Sequence, residues 1–229
     1  MMCNFVPTQY DNAFMVVYFI SGLGADERAF QNLTLPKSWD TRHIKWFPIS
    51  KNETLESYVD KFEKVIDIDK PFALVGLSFG GIIATELSKR VNPKLTFIIS
   101  SVTTKYELPP IFRFYASSGL SKMIPSNLYN KIYPFTDWSF GLKTPAEKQL
   151  LRQIISSSSP EFLKWAIHEI VCWKNTERPK TIFHVHGSMD RIFPIEYVRP
   201  DAVIPGGGHF MIFSHADVIS KMLKDKLKE

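Results

Sequence analysis

Residues 72 to 100 of this 229-residue chain predict a strand, a helix and a second strand with almost nothing between them. The apolar run Phe72–Leu77 is typical of a strand, and the segment Phe79–Val91 that follows it directly is typical of a helix. Asn92-Pro93 ends this helix, and Leu95–Ser100 is again a short apolar run. A strand that leads through a helix into another strand implies parallel pairing, so the segment predicts a βαβ unit.

The alternation of apolar runs and helical periodicity continues on both sides of this unit. Met15–Ser21 is nearly all apolar and predicts a strand that is buried on both faces. Further strands are predicted at Thr41–Ile49, Thr181–His186 and Ala202–Ile204, and further helices at Thr54–Ile68 and from Phe210 to about Lys226. The fold class is therefore α/β, with a mostly parallel central sheet flanked by helices.

Residues 102–180 differ in pattern from the sequence on either side. They contain no convincing strand, carry prolines at short intervals, and show helical stretches near Ile111–Ser118, Ala146–Ser156 and Glu161–Trp173. We therefore expect a core formed by residues 1–101 and 181–229, into which residues 102–180 are inserted as a helical cap.

The net charge of +5 lies entirely in this predicted cap. Residues 102–180 hold 11 Lys and Arg against 6 Asp and Glu, so the 17 basic and 17 acidic residues elsewhere cancel. The charges are scattered and form no nucleic-acid motif, so we interpret them as a solvated helical surface and expect no nucleic-acid partner. An anionic head group on a small-molecule ligand stays open as an alternative.

Cys3 and Cys172 lie far apart in the sequence and lack the spacing of metal ligands. We interpret both as free thiols in a reducing compartment, and not as a disulfide or a zinc site. The first apolar run has no Lys or Arg before it, and no run approaches the length of a membrane span, so the sequence predicts neither a signal peptide nor a spanning helix. The expected location is the cytoplasm, and the oligomeric state is left open.

Gly76-Leu77-Ser78-Phe79-Gly80 matches the pattern G-x-S-x-G and lies at the junction of the predicted strand and helix. The pattern alone is common, and its position is what makes it informative. A serine on so sharp a turn has a strained backbone, and side chains two positions away on either side would collide, which explains the glycines. The turn would present the Ser78 hydroxyl above the sheet as a nucleophile, with the Phe79 N–H and the positive helix end directed at a developing oxyanion.

A serine hydroxyl becomes a useful nucleophile only when a histidine takes its proton and a carboxylate orients that histidine. The expected chain order is serine, acid, histidine, with the acid after a late strand and the histidine before the last helix. Asp190 and His209 occupy these two places, so we predict the triad Ser78, Asp190 and His209.

Other titratable residues fit this chemistry less well. His215 falls inside the last predicted helix, and Asp201 and Asp217 are interpreted as surface residues. His184 and His186 alternate onto one face of a strand, but no third ligand at suitable spacing is evident. We therefore interpret them as structural histidines and expect no metal site.

A second oxyanion donor is expected from the loop after the first core strand, where Ser21-Gly22-Leu23-Gly24 lies. Leu23 is the candidate N–H, because a glycine-rich turn lets the backbone approach a substrate. A simple strand-ending turn is the alternative. The same Gly-x-Gly lacks the third glycine of a dinucleotide fingerprint, so no nucleotide cofactor is predicted.

These residues resemble the α/β-hydrolase superfamily over essentially the whole chain. The resemblance rests on the turn at 76–80, on His-Gly-x-x-Asp at 186–190 and on Gly-Gly-Gly-His at 206–209. It implies a mostly parallel sheet, a helical cap matching residues 102–180, acyl transfer through an acyl-serine intermediate, and no metal or organic cofactor. Similar proteins usually have His-Gly where this chain has Ser21-Gly22, and the short N-terminal region implies that one or both early strands are missing or reduced.

The prediction that follows is a serine hydrolase that cleaves a small-to-medium carboxylic ester or thioester. The serine excludes relatives that attack with a carboxylate, such as epoxide hydrolases and haloalkane dehalogenases. Two alternatives stay open, namely an acyltransferase or lyase of similar fold and a ligand-sensing protein with a residual triad. Two or three aromatic side chains of the predicted cap are expected to wall an apolar acyl pocket. The candidates are Phe112, Phe114, Tyr115, Tyr133, Phe135, Trp138, Phe162, Trp165 and Trp173.

Overall fold

A computed structural model describes residues 15–117, 137–156 and 158–228. The strands in these ranges are β1 (Val16–Ile20), β2 (Asp40–Ile44), β3 (Phe72–Leu77), β4 (Leu95–Ile99), β5 (Ile182–Gly187) and β6 (Ala202–Ile204). They form one sheet in the order β2-β1-β3-β4-β5-β6, and every neighbouring pair is parallel. The predicted α/β class with a mostly parallel sheet is confirmed. Cys3, Tyr133 and Phe135 lie outside the described residues.

The strand order reverses direction at β1. From β1 the chain moves to β2 on one side and then to β3 on the other, so that Ile20 at the end of β1 lies beside Gly76 near the end of β3. Ligands of open α/β sheets bind beyond the carboxyl ends of the strands at such a reversal. The topology therefore places the loop after β1, which holds Leu23, next to the turn after β3, which holds Ser78.

Helices cover both faces of the sheet. They are α1 (Leu55–Glu63), α2 (Phe79–Val91), α3 (Pro110–Ser117), α4 (Pro145–Ser156), α5 (Pro160–Val171), α6 (Met211–Ser214) and α7 (Ala216–Lys228). The side chains of β1 alternate between two buried clusters, because Val16, Tyr18 and Ile20 pack with α1 and α2, whereas Val17 and Phe19 pack with α7. None of the described helices is long and apolar enough to cross a membrane.

Helices α3, α4 and α5 lie between β4 and β5, in the segment that the sequence predicts to be a cap. Each begins at a proline, namely Pro110, Pro145 and Pro160. The fixed φ of proline suits the first position of a helix, where its missing N–H has no intrahelical partner to lose. The predicted helices therefore start one residue too late, and no strand occurs between residues 102 and 180 in the part that the structure describes.

The second strand is shorter than predicted, since the run Thr41–Ile49 leaves the sheet after Ile44. The N–H and C=O of Phe47 both bond to the Tyr58 hydroxyl, at 2.9 and 2.7 Å, and are unavailable to a neighbouring strand. Pro48 has no N–H to donate. Because these backbone groups are already hydrogen-bonded to a side chain, the residues after Ile44 do not pair as a strand despite their apolar pattern.

Of the three helices predicted outside the cap segment, Phe79–Val91 is confirmed with the predicted bounds, and the other two are wrong in extent. The helix predicted at Thr54–Ile68 is observed at Leu55–Glu63, because Thr54 is its N-cap and its side chain accepts the Ser57 N–H. The last helix, predicted as continuous from Phe210, is divided at His215, whose φ of −123° and ψ of 30° are not helical. His215 therefore lies between two helices and not inside one.

Glu53 accepts a network of hydrogen bonds at the start of α1. Its carboxylate accepts the Ser50 N–H and the Ser57 hydroxyl, both at 2.7 Å, and pairs with Lys61. Burial acts to raise the pKa of Glu53, but these partners outweigh burial and lower its pKa to about 2. The folded protein therefore favours the ionised carboxylate.

We expect Glu53→Gln to cost about 1 to 2 kcal/mol of unfolding free energy at pH 7. A carboxylate whose pKa is lowered by folding stabilises the native state above its unfolded pKa of 4.5 and loses that effect as the pH falls toward about 2. Urea unfolding of both proteins at pH 7 and at about pH 3 measures the difference. An equal cost at both pH values would contradict the role given to the ionised carboxylate.

Candidate active site

Ser78 lies on the turn between β3 and α2 in a conformation that few residues adopt. Its φ of 52° and ψ of −118° lie in a sparsely populated region of positive φ. The Ser78 N–H donates to the Ile99 C=O at 2.9 Å, and the Ser101 hydroxyl donates to the Ser78 C=O at 2.7 Å. These bonds hold the serine at the carboxyl end of β3, partly open to solvent.

Close backbone contacts require the two glycines of the motif. A Cβ on Gly76 would lie 2.5 Å from the Gly80 carbonyl oxygen. A Cβ on Gly80 would lie 2.2 Å from the carbonyl oxygen of Ile20, at the end of β1. The collision expected on either side of Ser78 is therefore present, and the tight packing of α2 against β1 adds a second reason for Gly80.

The structure brings the three predicted triad residues together. His209 Nε2 lies 2.9 Å from Ser78 Oγ, and His209 Nδ1 lies 2.8 Å from Asp190 Oδ2. His209 and Asp190 are buried. The ring edges of Phe140 and Phe193 flank the imidazole, with centroids 5.1 and 5.7 Å away. Hydrogen bonds and packing therefore fix the histidine between the hydroxyl and the carboxylate.

The environment of Asp190 favours its ionised form. Asp190 Oδ1 accepts the backbone N–H groups of Ile192 and Phe193 at 2.8 and 2.9 Å. Burial acts to raise the pKa of Asp190, but the charge and hydrogen bond of His209 outweigh burial, so its pKa is lowered. An ionised Asp190 accepts a hydrogen bond from the N–H at His209 Nδ1, which leaves Nε2 free to accept the Ser78 proton.

Of the two predicted oxyanion residues, Phe79 directly follows Ser78, and Leu23 lies on a loop that passes beside the serine. Phe79 begins α2, so its N–H is one of those that a helix leaves without an intrahelical partner. Leu23 follows Gly22, whose Cβ position lies 3.4 Å from the Ser78 Cβ. The loop after β1 therefore touches the serine, and its Ala25 N–H donates to the Gly22 C=O at 2.9 Å to close a turn.

Two residues that hold this loop have no signal in the sequence. Ser21 occupies the position where similar proteins have histidine, and its hydroxyl donates to the Ala25 C=O at 2.6 Å. Trp46 Nε1 donates to the C=O groups of Gly22 and Ala25 at 3.2 and 2.9 Å, and its ring stacks on Phe79 at 5.4 Å. Trp46 lies in the part of the predicted second strand that the structure does not form as a strand. The sequence pattern therefore does not indicate that its side chain holds the loop after β1.

The aromatic residues of the predicted cap have different positions. On α5, the Phe162 ring packs against Trp46 with centroids 5.3 Å apart, and the Trp165 ring packs against Phe79 with centroids 6.1 Å apart. Phe112 on α3 packs edge-on against Phe193, which in turn flanks His209. Among the described candidates, these three contact residues around the site. Trp173 is buried, Tyr115 is half-buried, and Phe114 and Trp138 are exposed.

His184 and His186 lie on β5 and are fully buried. Burial lowers the pKa of both, and their ring nitrogens hydrogen-bond to each other at 3.1 Å. Within residues 15–117, 137–156 and 158–228, no three His, Cys, Asp or Glu side chains are placed to hold a metal ion.

The parallel sheet with helices on both faces, and the serine turn after its third strand, define an α/β-hydrolase fold. No protein-family model and no curated protein matches the sequence. Solved structures match over nearly the whole chain. A bromoperoxidase from Bacillus anthracis is 17% identical over 95% of this chain and 92% of its own, with a TM-score of 0.66.

Two further solved structures agree with this fold. MenH from S. aureus is 16% identical over 93% of each chain, with a TM-score of 0.70. A thermophilic esterase from Thermogutta terrifontis is 16% identical over 94% of this chain and 89% of its own, with a TM-score of 0.68. All of these proteins are α/β-hydrolase fold proteins, and the expected resemblance in fold is confirmed.

Proposed function

We propose that the protein is a serine hydrolase that cleaves a small-to-medium carboxylic ester or thioester. The observation that carries the proposal is the unbroken line of hydrogen bonds from Ser78 through His209 to Asp190, at 2.9 and 2.8 Å. The esterase among the solved structures of the same fold is consistent with it. The serine nucleophile needs no metal or organic cofactor for this reaction.

Acylation transfers the acyl group from the substrate to the serine. Ser78 Oγ attacks the carbonyl carbon while its proton passes to His209 Nε2. The N–H groups of Phe79 and Leu23 stabilise the negative charge that develops on the carbonyl oxygen. When the tetrahedral intermediate collapses, the bond to the alcohol or thiol breaks, and His209 gives that leaving group its proton.

Deacylation repeats these steps with water. His209 takes a proton from a water molecule, whose oxygen attacks the acyl carbon of the acyl-serine. Collapse of the second intermediate breaks the ester bond to Ser78, returns the proton to its Oγ and releases the carboxylic acid. Asp190 stabilises the imidazolium in both halves of the reaction and is not itself protonated.

The cap belongs to the same proposal, with residues 1–101 and 181–229 as the core and residues 102–180 as the inserted cap. Contacts of α5 and of the residues just before it with the loops at the carboxyl ends of the strands support it. Trp165 Nε1 donates to the Glu53 C=O and the Ser158 hydroxyl donates to the Gly24 C=O, both at 2.9 Å. The cap would then cover an apolar acyl pocket walled by Phe112, Phe162 and Trp165. The predicted cytoplasmic location stays a prediction.

Product analysis tests the proposal against an acyltransferase and against a ligand-sensing protein. The protein is incubated with p-nitrophenyl esters and acyl thioesters of increasing chain length, with and without an acceptor alcohol, beside Ser78→Ala as the control. A hydrolase releases equal amounts of acid and leaving group without the acceptor. Turnover that requires the acceptor would indicate a transferase. A large rise in Tm with a ligand but no turnover would favour a sensing protein.

We expect Trp46→Phe to lower kcat about tenfold with little change in KM, because the variant keeps the stacked ring but loses the N–H that holds the loop of Leu23. Trp173→Phe is the matched control. The Trp173 N–H donates to Glu86 Oε1 at 2.8 Å, and this bond does not involve the loop of Leu23. Each variant should lose about 1 kcal/mol of unfolding free energy. Steady-state kinetics and urea unfolding of both variants make the comparison. If kcat falls equally in both variants, Trp46 has no special part in shaping the loop.

A further inference from the structure

A pair of buried histidines lies directly behind the acid of the proposed triad. His184 and His186 point to the same face of β5 and are 0% exposed. His184 Nε2 lies 3.1 Å from His186 Nδ1. His186 Nε2 lies 2.8 Å from the Phe193 carbonyl oxygen and 3.4 Å from Asp190 Oδ2. The pair therefore forms a chain of imidazoles that ends at the carboxylate.

The hydrogen-bond partners assign the tautomers of both rings. The Phe193 carbonyl can only accept, so His186 carries a proton on Nε2. Burial lowers the pKa of both histidines, so each ring is neutral and His186 Nδ1 is an acceptor. That acceptor requires a proton on His184 Nε2. In this assignment His184 Nδ1 carries no proton.

This arrangement sets the shape of the loop that carries the acid. The N–H of Phe193 donates to Asp190 Oδ1 at 2.9 Å, while the C=O of the same residue accepts the His186 N–H at 2.8 Å. His186 Nε2 also lies 3.4 Å from Asp190 Oδ2, the oxygen that lies 2.8 Å from His209 Nδ1, but its N–H is donated to the Phe193 carbonyl. His186 thus fixes the loop whose backbone N–H groups hold the buried carboxylate of Asp190, where each such donor has a large effect.

We propose that His186, oriented by His184, is a positioning residue of the active site, which acts through the Phe193 backbone to hold Asp190 ionised and in register with His209. The inference rests on the proposed function, because a positioning residue has meaning only if the triad is catalytic. The same inference gives His184 a function, because its N–H to His186 Nδ1 keeps the proton of His186 on Nε2.

The charged and titratable groups around the pair are few in the described residues. They are Asp190 and His209 at the site, Glu107 after β4, Arg178 before β5 and Asp201 before β6, which accepts the His184 backbone N–H at 2.7 Å and pairs with Arg178. Glu107 is committed to other donors, because it accepts the backbone N–H groups of Thr103 at 2.5 Å and Arg199 at 3.0 Å. His186 is neutral and acts on Asp190 through the Phe193 backbone, and not as a group that titrates with the site.

Two substitutions separate the N–H from the ring. His186→Gln keeps a donor near the position of Nε2, whereas His186→Phe keeps a ring and removes the donor. The measurement is the rate at which a fluorophosphonate labels the protein between pH 5 and 9, read by intact mass. His43→Gln and His43→Phe are the matched controls, because His43 lies on β2 and stacks on Phe19, with centroids 5.0 Å apart.

We expect His186→Phe to lower the maximal labelling rate about tenfold, the effect of losing the hydrogen bond that holds the Phe193 backbone beside Asp190. The acidic limb of its pH profile should move upward by about half a pH unit, because loosening the Phe193 N–H that donates to Asp190 leaves a carboxylate that holds a proton on His209 more tightly. His186→Gln should restore both the rate and the limb to within about threefold of the wild type. The His43 variants should match the wild type.

The outcomes separate this inference from the function on which it rests. A wild type that labels, with a His186→Phe variant that matches it in rate and pH profile, overturns the positioning function and leaves the hydrolase intact. A folded wild type that does not label overturns both.

If His186→Phe does not fold, histidine-selective 15N NMR of the wild type and of Asp190→Asn decides. We expect both rings neutral with the proton on Nε2, and a His186 N–H signal that moves in the Asn variant. A proton on Nδ1 of His186, or an unmoved signal, contradicts the proposal.

Discussion

Asp190→Asn should lower kcat about 10⁴-fold and leave the fold intact. An Asn amide at this position donates to His209 Nδ1, where the carboxylate accepts. The ring must then carry its proton on Nε2, which faces Ser78 Oγ at 2.9 Å and can no longer take the serine proton. Steady-state kinetics on the best ester of the substrate panel, with Tm as the check on folding, measures the effect.

The matched control is Asp217→Asn, an exposed carboxylate in the first turn of α7. We expect its kcat to stay within about twofold of the wild type, as for an ordinary surface substitution. If Asp190→Asn keeps more than about a tenth of the wild-type kcat, Asp190 is not the acid that orients His209.

Gly80→Ala should destabilise the protein by about 4 kcal/mol or more, although alanine favours helices by about 1 kcal/mol over glycine. The new Cβ would lie 2.2 Å from the Ile20 carbonyl oxygen and 2.3 Å from that of Ser21. Both are backbone atoms of β1 and its loop, so relief requires that α2 move away from the sheet. Such a movement would also displace the Ser78 turn.

Gly206→Ala separates this collision from the cost of glycine substitution in general. Gly206 has a φ of 72°, but a Cβ there would meet nothing within 4 Å. Its substitution should cost only the left-handed strain, about 1 to 2 kcal/mol. Urea unfolding of the two variants checks the contrast, and a Gly80→Ala protein as stable as Gly206→Ala would show that α2 does not pack on β1 as described.

The positions of Ser78, Asp190 and His209 could be predicted because each follows a strand end, and parallel strands bring their carboxyl ends to one edge of the sheet. Local patterns suffice for that placement. The glycines of the turn were likewise predictable, because their collision is a local property of a sharp strand-to-helix connection.

Specific side-chain hydrogen bonds, some of them between segments far apart in the sequence, explain what the sequence patterns miss. Trp46 and Phe47 have the apolar pattern of a strand, yet their polar groups bond to the loop after β1 and to Tyr58. Ser21 has the pattern of a simple turn, and its function emerges only from the bond to Ala25. The tautomers of the histidine pair on β5 depend in the same way on a carbonyl seven residues away.

The central claim is that Ser78 is an activated nucleophile, and fluorophosphonate labelling of the native protein tests it most directly because it requires no knowledge of the substrate. Intact mass and peptide mapping locate the adduct, beside Ser78→Ala and His209→Ala. We predict a single adduct on Ser78 that is absent from Ser78→Ala and forms at least about 10³-fold more slowly in His209→Ala. A folded wild type without an adduct, or an adduct that survives Ser78→Ala, would contradict the claim.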